Sequence, residues 1–363
     1  MKKGSIIVFL IIFTVVLAGC GNKINKKKQM KMGAGGVYKS NDSGEAFFPM
    51  NKINEEKNLS NSSILDIVID PNNPDVVYVG TDNQGIYRSE NRGQTWAESK
   101  SDFTYVRRIE LDPTNKNIIY IIAESKGEMA LFKTVDGGIN WQKLLLPRDK
   151  SQPIVLDVLV DQKNPQIVYA SDTTGGIYKS TNGGVEWKVI YWGEFPTVGI
   201  VMDTQDDNRL YFVTNNQQIY ITGDGGGNGS KSFKVAETGG PIYSLAVSNF
   251  EKNVVYVLFE GGLYISRDGG EKFKLVPSLL KPENTKANVI VTDPLDKNIL
   301  YIIAGKVLYK TNNSGSTWRA IPLNKINWPV SQFEISKDDN SIIYLGTHKP
   351  IKSSGGGIPF LKF

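Results

Sequence analysis

The chain has 363 residues, with 42 Lys and Arg against 37 Asp and Glu, one cysteine and one histidine. The lone Cys20 excludes an internal disulfide, and the lone His348 excludes histidine-based triads and His-rich zinc sites. Seven of the lysines and no acid fall within residues 1–32, leaving the rest of the chain at about −2, so the overall charge of +5 gives no argument for nucleic-acid binding by the folded body.

In chain order, Lys2 and Lys3 precede an uncharged apolar run of 13 residues from Ile6 to Ala18. A helix needs ~20 residues to span a bilayer, so this run reads as the apolar region of a secretory signal. It ends in Leu17-Ala18-Gly19-Cys20, which resembles the bacterial lipoprotein signal. The resemblance implies cleavage before Cys20 and acylation of its thiol and new amino group. Residues 1–19 are then a signal peptide, 20–35 a lipidated cysteine with a basic linker, and 36–363 the folded body. The expected location is the extracytoplasmic side of a bacterial membrane. An ordinary signal with an incidental cysteine is the alternative. Lys23, Lys26, Lys27, Lys28 and Lys31 would lie against anionic lipid, at ~1 kcal/mol each, or form a solvated stalk.

From residue 64 onward the sequence repeats. An apolar strand ending in Asp or Ser (Ile64–Asp70, Val106–Asp112, Ile154–Asp161, Val198–Asp203, Ile242–Ser248, Asn288–Asp293, Val330–Ser336) leads through a polar turn, often with proline. A second strand follows with tyrosine at a fixed place: Tyr78, Tyr120, Tyr169, Tyr211, Tyr256, Tyr301 and Tyr344. A third strand, such as Gly176-Ile177-Tyr178-Lys179-Ser180, runs into Ser/Thr-x-Asp/Asn-x-Gly-x-x-Trp/Phe, and a short fourth strand comes after the aromatic. Copies of this box begin at Ser40, Ser89, Thr134, Ser180, Thr222, Ser266, Thr311 and Ser353.

These boxes resemble the Asp-box (BNR) repeat family, and the likeness runs from Gly36 to Phe363. Four strands in each of seven repeats predict an all-β, seven-bladed β-propeller. The box residues Asp42, Asn91, Asp136, Asn182, Asp268 and Asn313 are expected to cap tight turns. Trp96, Trp141, Trp187, Phe273 and Trp318 are expected to pack between neighbouring sheets. Both Gly36–Phe48 and Ile351–Phe363 fit the outer half of a blade, so one tail is surplus. The N-terminal segment is the favoured closing piece.

Since the boxes are scaffold, function is sought on the opposite face, formed by blade connections and second-to-third-strand turns. Tyr191, Trp192 and Trp328 lie in blade connections and are candidate contacts for a sugar or a protein. Aligned on their terminal Asp or Ser, the inner strands of blades one to three place Asp66, Arg108 and Asp157 together near the channel, as a ligand site or an ion network. Sialidase and xyloglucanase relatives of the repeat are hydrolases, but no sialidase-type Arg-Ile-Pro motif occurs and a single propeller makes no inter-propeller cleft. Asp66 and Asp157 are the one acid–base pair to test, with Arg108 expected to depress both pKa values. Similarity to the photosystem II assembly-factor and sortilin-type propellers implies a monomeric, membrane-anchored scaffold or receptor for protein partners. Glycan binding or hydrolysis is the alternative. No cofactor, metal or nucleic acid is expected.

Overall fold

The computed structural model describes residues 35–99, 101–147, 153–229, 234–235, 242–259, 262–277 and 287–350. The signal, Cys20 and the C-terminal copy of the repeat lie outside the described residues. Within them, seven four-stranded antiparallel sheets follow one another as the blades of a propeller. Blade one runs from its inner strand Ile64–Ile69 through Val77–Thr81 and Ile86–Ser89 to Ala97–Glu98 at the edge. Blades two to six repeat this order, beginning at Phe103–Leu111, Val155–Val160, Thr197–Asp203, Ile242–Val247 and Ala287–Thr292.

Blade seven is assembled from both ends of the sequence. Its inner strands are Val330–Ile335 and Ile343–Thr347, and its outer strands are Val37–Ser40 and Phe48–Pro49. The register runs from Val37 opposite Gly346 to Ser40 opposite Ile343. The N-terminal segment thus supplies both missing strands. Indole Nε1 of Trp96 in blade one donates to the Met50 carbonyl at 2.7 Å, fastening the end of this strap to the next blade.

Buried apolar residues form seven separate clusters, one per seam between blades. Ile67, Val77, Tyr87 and Trp96 of blade one meet Val37, Ile342 and Tyr344 of blade seven. Leu144 and Tyr120 of blade two meet Val158 and Val168 of blade three, with Trp187 against them. Phe273 likewise closes the seam between blades four and five, edge-on to Phe259 at 5.5 Å. A twisted sheet apolar on both faces has no water-tolerant side, so each blade needs two neighbours.

The box turns are built alike. The Ser or Thr hydroxyl donates to the Asp or Asn carboxyl or amide oxygen two residues on, as in Ser40–Asp42 at 2.6 Å, Ser180–Asn182 at 3.0 Å and Ser266–Asp268 at 2.7 Å. The same hydroxyl accepts the N–H of the glycine four residues on, and the acid or amide oxygen takes further turn N–H groups. That glycine has positive φ in all seven boxes among the described residues, from 75° at Gly226 to 95° at Gly138, a region L side chains avoid. The Asp136 carboxyl is held down to about 2 by the Asn140 backbone N–H, the Thr134 hydroxyl and the Asn140 side chain. Trp141, Trp187 and Trp318 each return an indole N–H to the box glycine carbonyl at 3.0–3.1 Å.

Four of the seven repeat tyrosines tie a blade to its neighbour's box, Tyr301 among them through the Ser43 carbonyl at 3.5 Å, whereas the Tyr211 hydroxyl has no hydrogen-bond partner among the described residues. Tyr120 donates to the Gly183 carbonyl at 2.9 Å, Tyr169 to Gly225 at 3.2 Å and Tyr344 to Arg92 at 3.1 Å. In two of these seams a third-strand lysine, Lys133 or Lys179, lies over the tyrosine ring and reaches the same carbonyl.

Trp96 is 3 % exposed and carries the strap contact, whereas Trp187 is half-buried. Deleting a core aromatic costs ~3–5 kcal/mol. Trp96→Ala is therefore expected at the upper end of that range and Trp187→Ala below it, as read from urea unfolding midpoints.

Candidate functional site

Every inner strand carries a bulge at the same place. The register shifts at Asp66, Arg108, Asp157, Gly199, Ser244, Val289 and Gln332, the seven positions that the sequence alignment brings together. A bulge leaves backbone groups outside the ladder, and side chains at this layer satisfy them across the seams. Asp66 accepts the Ile67 N–H at 3.0 Å and, from blade two, the Ile109 N–H at 2.8 Å. Asp157 does the same with Val158 at 2.9 Å and Ile200 of blade four at 2.7 Å. Ser244 takes the Ile290 N–H, and the Gln332 amide donates to the Leu65 carbonyl at 2.6 Å. Both candidate carboxylates are thus blade fasteners, each bound by two backbone donors.

Arg108 stands between them. Its Nη2 donates to Glu110 Oε1 at 2.6 Å, and its Nε lies 3.2 Å from Asp157 Oδ1, misaligned for a hydrogen bond. Glu110, two residues along the same strand face, is the member that sequence alignment by bulge position misses. Burial pushes its carboxyl up to about 7, with Asp157 and Asp66 adding to the rise against the pull of Arg108. Burial also raises Asp157, and the opposing effect of Arg108 does not cancel it. The expected depression by Arg108 is corrected there, because desolvation outweighs one partner charge. For Arg108 itself burial favours loss of the proton, but Asp157, Glu110, Asp66 and Glu334 together hold it more firmly cationic than usual.

Beside this cluster the channel widens into a cavity of about 370 Å³. Val68, Leu159, Pro71 and Pro74 give it apolar walls, and Gln162 and Lys337 stand among its polar lining. It opens among first-to-second-strand turns, on the same face as the Asp-boxes.

On the other face Trp192 ends the outer strand Lys188–Trp192 of blade three and is 54 % exposed. Tyr191 packs edge-on against Tyr220 with ring centroids 5.1 Å apart. Trp328 covers Gly35, where an added Cβ would lie 2.0 Å from its ring, so it seals the entry of the strap. Of the three loop aromatics, Trp192 presents the open surface. Asp82 of blade one, in the turn after the second strand, and Arg107 of blade two act electrostatically on the half-buried Tyr105. This polar group was not singled out from sequence. Among the described residues no group of three or more His, Cys, Asp or Glu is arranged to hold a metal ion.

Seven blades, their turns built on Ser/Thr–Asp/Asn pairs and their seams closed by box aromatics, define an Asp-box β-propeller. The sortilin, neurotensin receptor 3 family model matches residues 35–176. Among curated proteins, the chain is similar to xyloglucanase Xgh74A of Acetivibrio thermocellus, 24% identical over 302 residues covering 77% of this chain and 33% of the relative. A Paenibacillus xyloglucanase is 25% identical over 224 residues, covering 50% of this chain and 21% of that protein. The chain thus spans about a third or less of these relatives' length. Among solved structures, the GH74 xyloglucanase from Xanthomonas campestris superposes with a TM-score of 0.62 at 14% identity, covering 79% of this chain and 51% of that one. YCF48 from Cyanidioschyzon merolae gives 0.60 at 16% identity over 79% of this chain and 95% of its own. YCF48 is also known with a bound D1 peptide. The structural likenesses share the fold. The expectation of a scaffold for protein partners is corrected by the sequence relatives, which are named as xyloglucanases.

A carboxyl titrating at about 7 in the folded protein and near 4.5 when free makes folding favour its protonated form. That contribution is fully present below about pH 4.5 and is lost as pH rises through about 7. Glu110→Gln removes it, although Arg108 gives up a partner. The stability of the variant relative to wild type is expected to improve steadily between pH 4.5 and 8 in urea titrations, and a flat difference would contradict the assignment.

Proposed function

We propose that this protein is directed at glycans, as a propeller that binds β-glucan chains of the xyloglucan kind. The observation that carries the reading is the sequence similarity to xyloglucanases over as much as 77% of the chain. Local chemistry supports it. Trp192 offers an open indole face for the apolar side of a pyranose ring, and aromatic contact of this sort gives large area at small entropic cost. Asp82, Tyr105 and Arg107 supply polar groups on the same face. Hydrolysis would need two carboxyl groups free to exchange protons with substrate across a glycosidic bond. Asp66 and Asp157 are committed to backbone donors, so binding is the part of the reading the residues here support best.

Xyloglucan retards the protein in affinity gels under this reading, and Trp192→Ala weakens that retardation at least fivefold with an unchanged unfolding midpoint. Absence of retardation by xyloglucan and other β-glucans would end the reading. A reducing-end assay run alongside detects turnover directly.

The placement at a membrane is part of the same proposal and rests on Leu17-Ala18-Gly19-Cys20. A Cys20→Ser variant is expected to lose incorporation of labelled fatty acid. Equal labelling of variant and wild type would remove the anchor.

A further inference from the structure

The channel cavity lies opposite the face that carries Trp192. It is formed by the inner strands of blades one, two, three and seven, which converge around the axis. About 370 Å³ lies at the small end of the ~300–1,000 Å³ usual for small-molecule pockets. The inner strands of four blades wall it around the axis, so a ligand that descends along the axis enters end first.

The lining also narrows the chemistry. Arg108 and Glu110, bonded at 2.6 Å, present donor and acceptor side by side at the inner end. Lys337, Asp338 and Gln162 repeat that mixture among the turns. An anion entering there would meet Asp66, Glu110, Glu334 and Asp338, and a cation would compete with Arg108 for Glu110 and with Arg92 for Asp338. A neutral polyhydroxyl compound needs neither exchange. Each hydroxyl both donates and accepts, and carbon-bound faces of the ring suit the walls of Val68, Leu159 and Pro71.

We infer that this channel-mouth cavity is a second glycan site, one that takes the terminal sugar residue of a neutral oligosaccharide. The inference rests on the glycan reading above and adds to it a recognition of chain ends. Trp192 would grip the side of a chain on one face, while the cavity holds an end on the other.

The experiment is calorimetric titration of the full chain with cellotetraose and with a xyloglucan oligosaccharide, repeated on Leu159→Phe, Gln162→Ala and Trp192→Ala. Leu159→Phe fills the cavity, and Gln162→Ala, at the polar lining, serves as the milder variant if the larger ring disturbs the fold; unfolding midpoints check both. The expected result is one oligosaccharide per chain in a site that Trp192→Ala spares. Leu159→Phe is expected to weaken it at least tenfold, and Gln162→Ala threefold or more. A sample of reduced oligosaccharide, its terminal ring opened to an alditol, shows whether the reducing end is the one inserted. If the oligosaccharides bind and both cavity variants bind them as wild type does, the cavity inference is overturned while the glycan reading stands. If neither oligosaccharide nor polymer binds, both fall together.

Discussion

Everything in this molecule depends on apolar contact between neighbouring sheets. Among the described residues there is no central core. The buried side chains are parcelled into seven seams, and the middle of the ring is given to bulged strands and charged groups. Hydrophobic burial contributes ~25 cal/mol per Å² and has no direction, so by itself it would let blades slide over one another. Direction comes from polar fasteners at the inner and outer ends of several seams. Near the axis Asp66, Asp157, Ser244 and Gln332 reach into the next or preceding sheet. At the outer end Tyr120, Tyr169 and Tyr344 fix on the carbonyl of a left-handed box residue. The box therefore serves its own blade through its hydroxyl and carboxyl, and its neighbour through that carbonyl.

This arrangement explains what could be read from sequence. Period, strand order and blade number follow from local signals: tyrosine in a β-branched run, proline after aspartate, glycine where φ must be positive. The closing role of Val37–Ser40 followed from the same pattern, since a strand, a box and an aromatic stand there with nothing before them to pair with. The approach of Arg108 to Asp157 was legible because alignment on a turn residue is alignment around a ring. Glu110 was not, since it lies two residues from the aligned position and no other blade but the seventh, with Glu334, has an acid there.

Other features need three dimensions. That Asp66 and Asp157 are occupied by backbone N–H groups depends on a bulge, which leaves no mark in a strand of ordinary composition. The fate of the loop aromatics is similar. Trp192 and Trp328 look alike in sequence, yet one is open and the other rests on Gly35, a residue more than 290 positions away. The cavity is a property of how four inner strands converge, and it opens on the face that repetition alone marks as scaffold.

The composite seventh blade has a consequence for the order of events in synthesis. Val37–Ser40 is among the first folded-body segments to be made, and its partner Ile343–Thr347 is among the last. Chain growth at ~5–20 residues per second separates them by tens of seconds. Throughout that interval the ring is an open arc. One end of the arc is an uncovered apolar seam on blade one, and the other is whichever blade has been completed last. A protein of this design would be most exposed to proteases and to sticking partners before its final strand arrives, and docking of the strap is the step that ends the exposure.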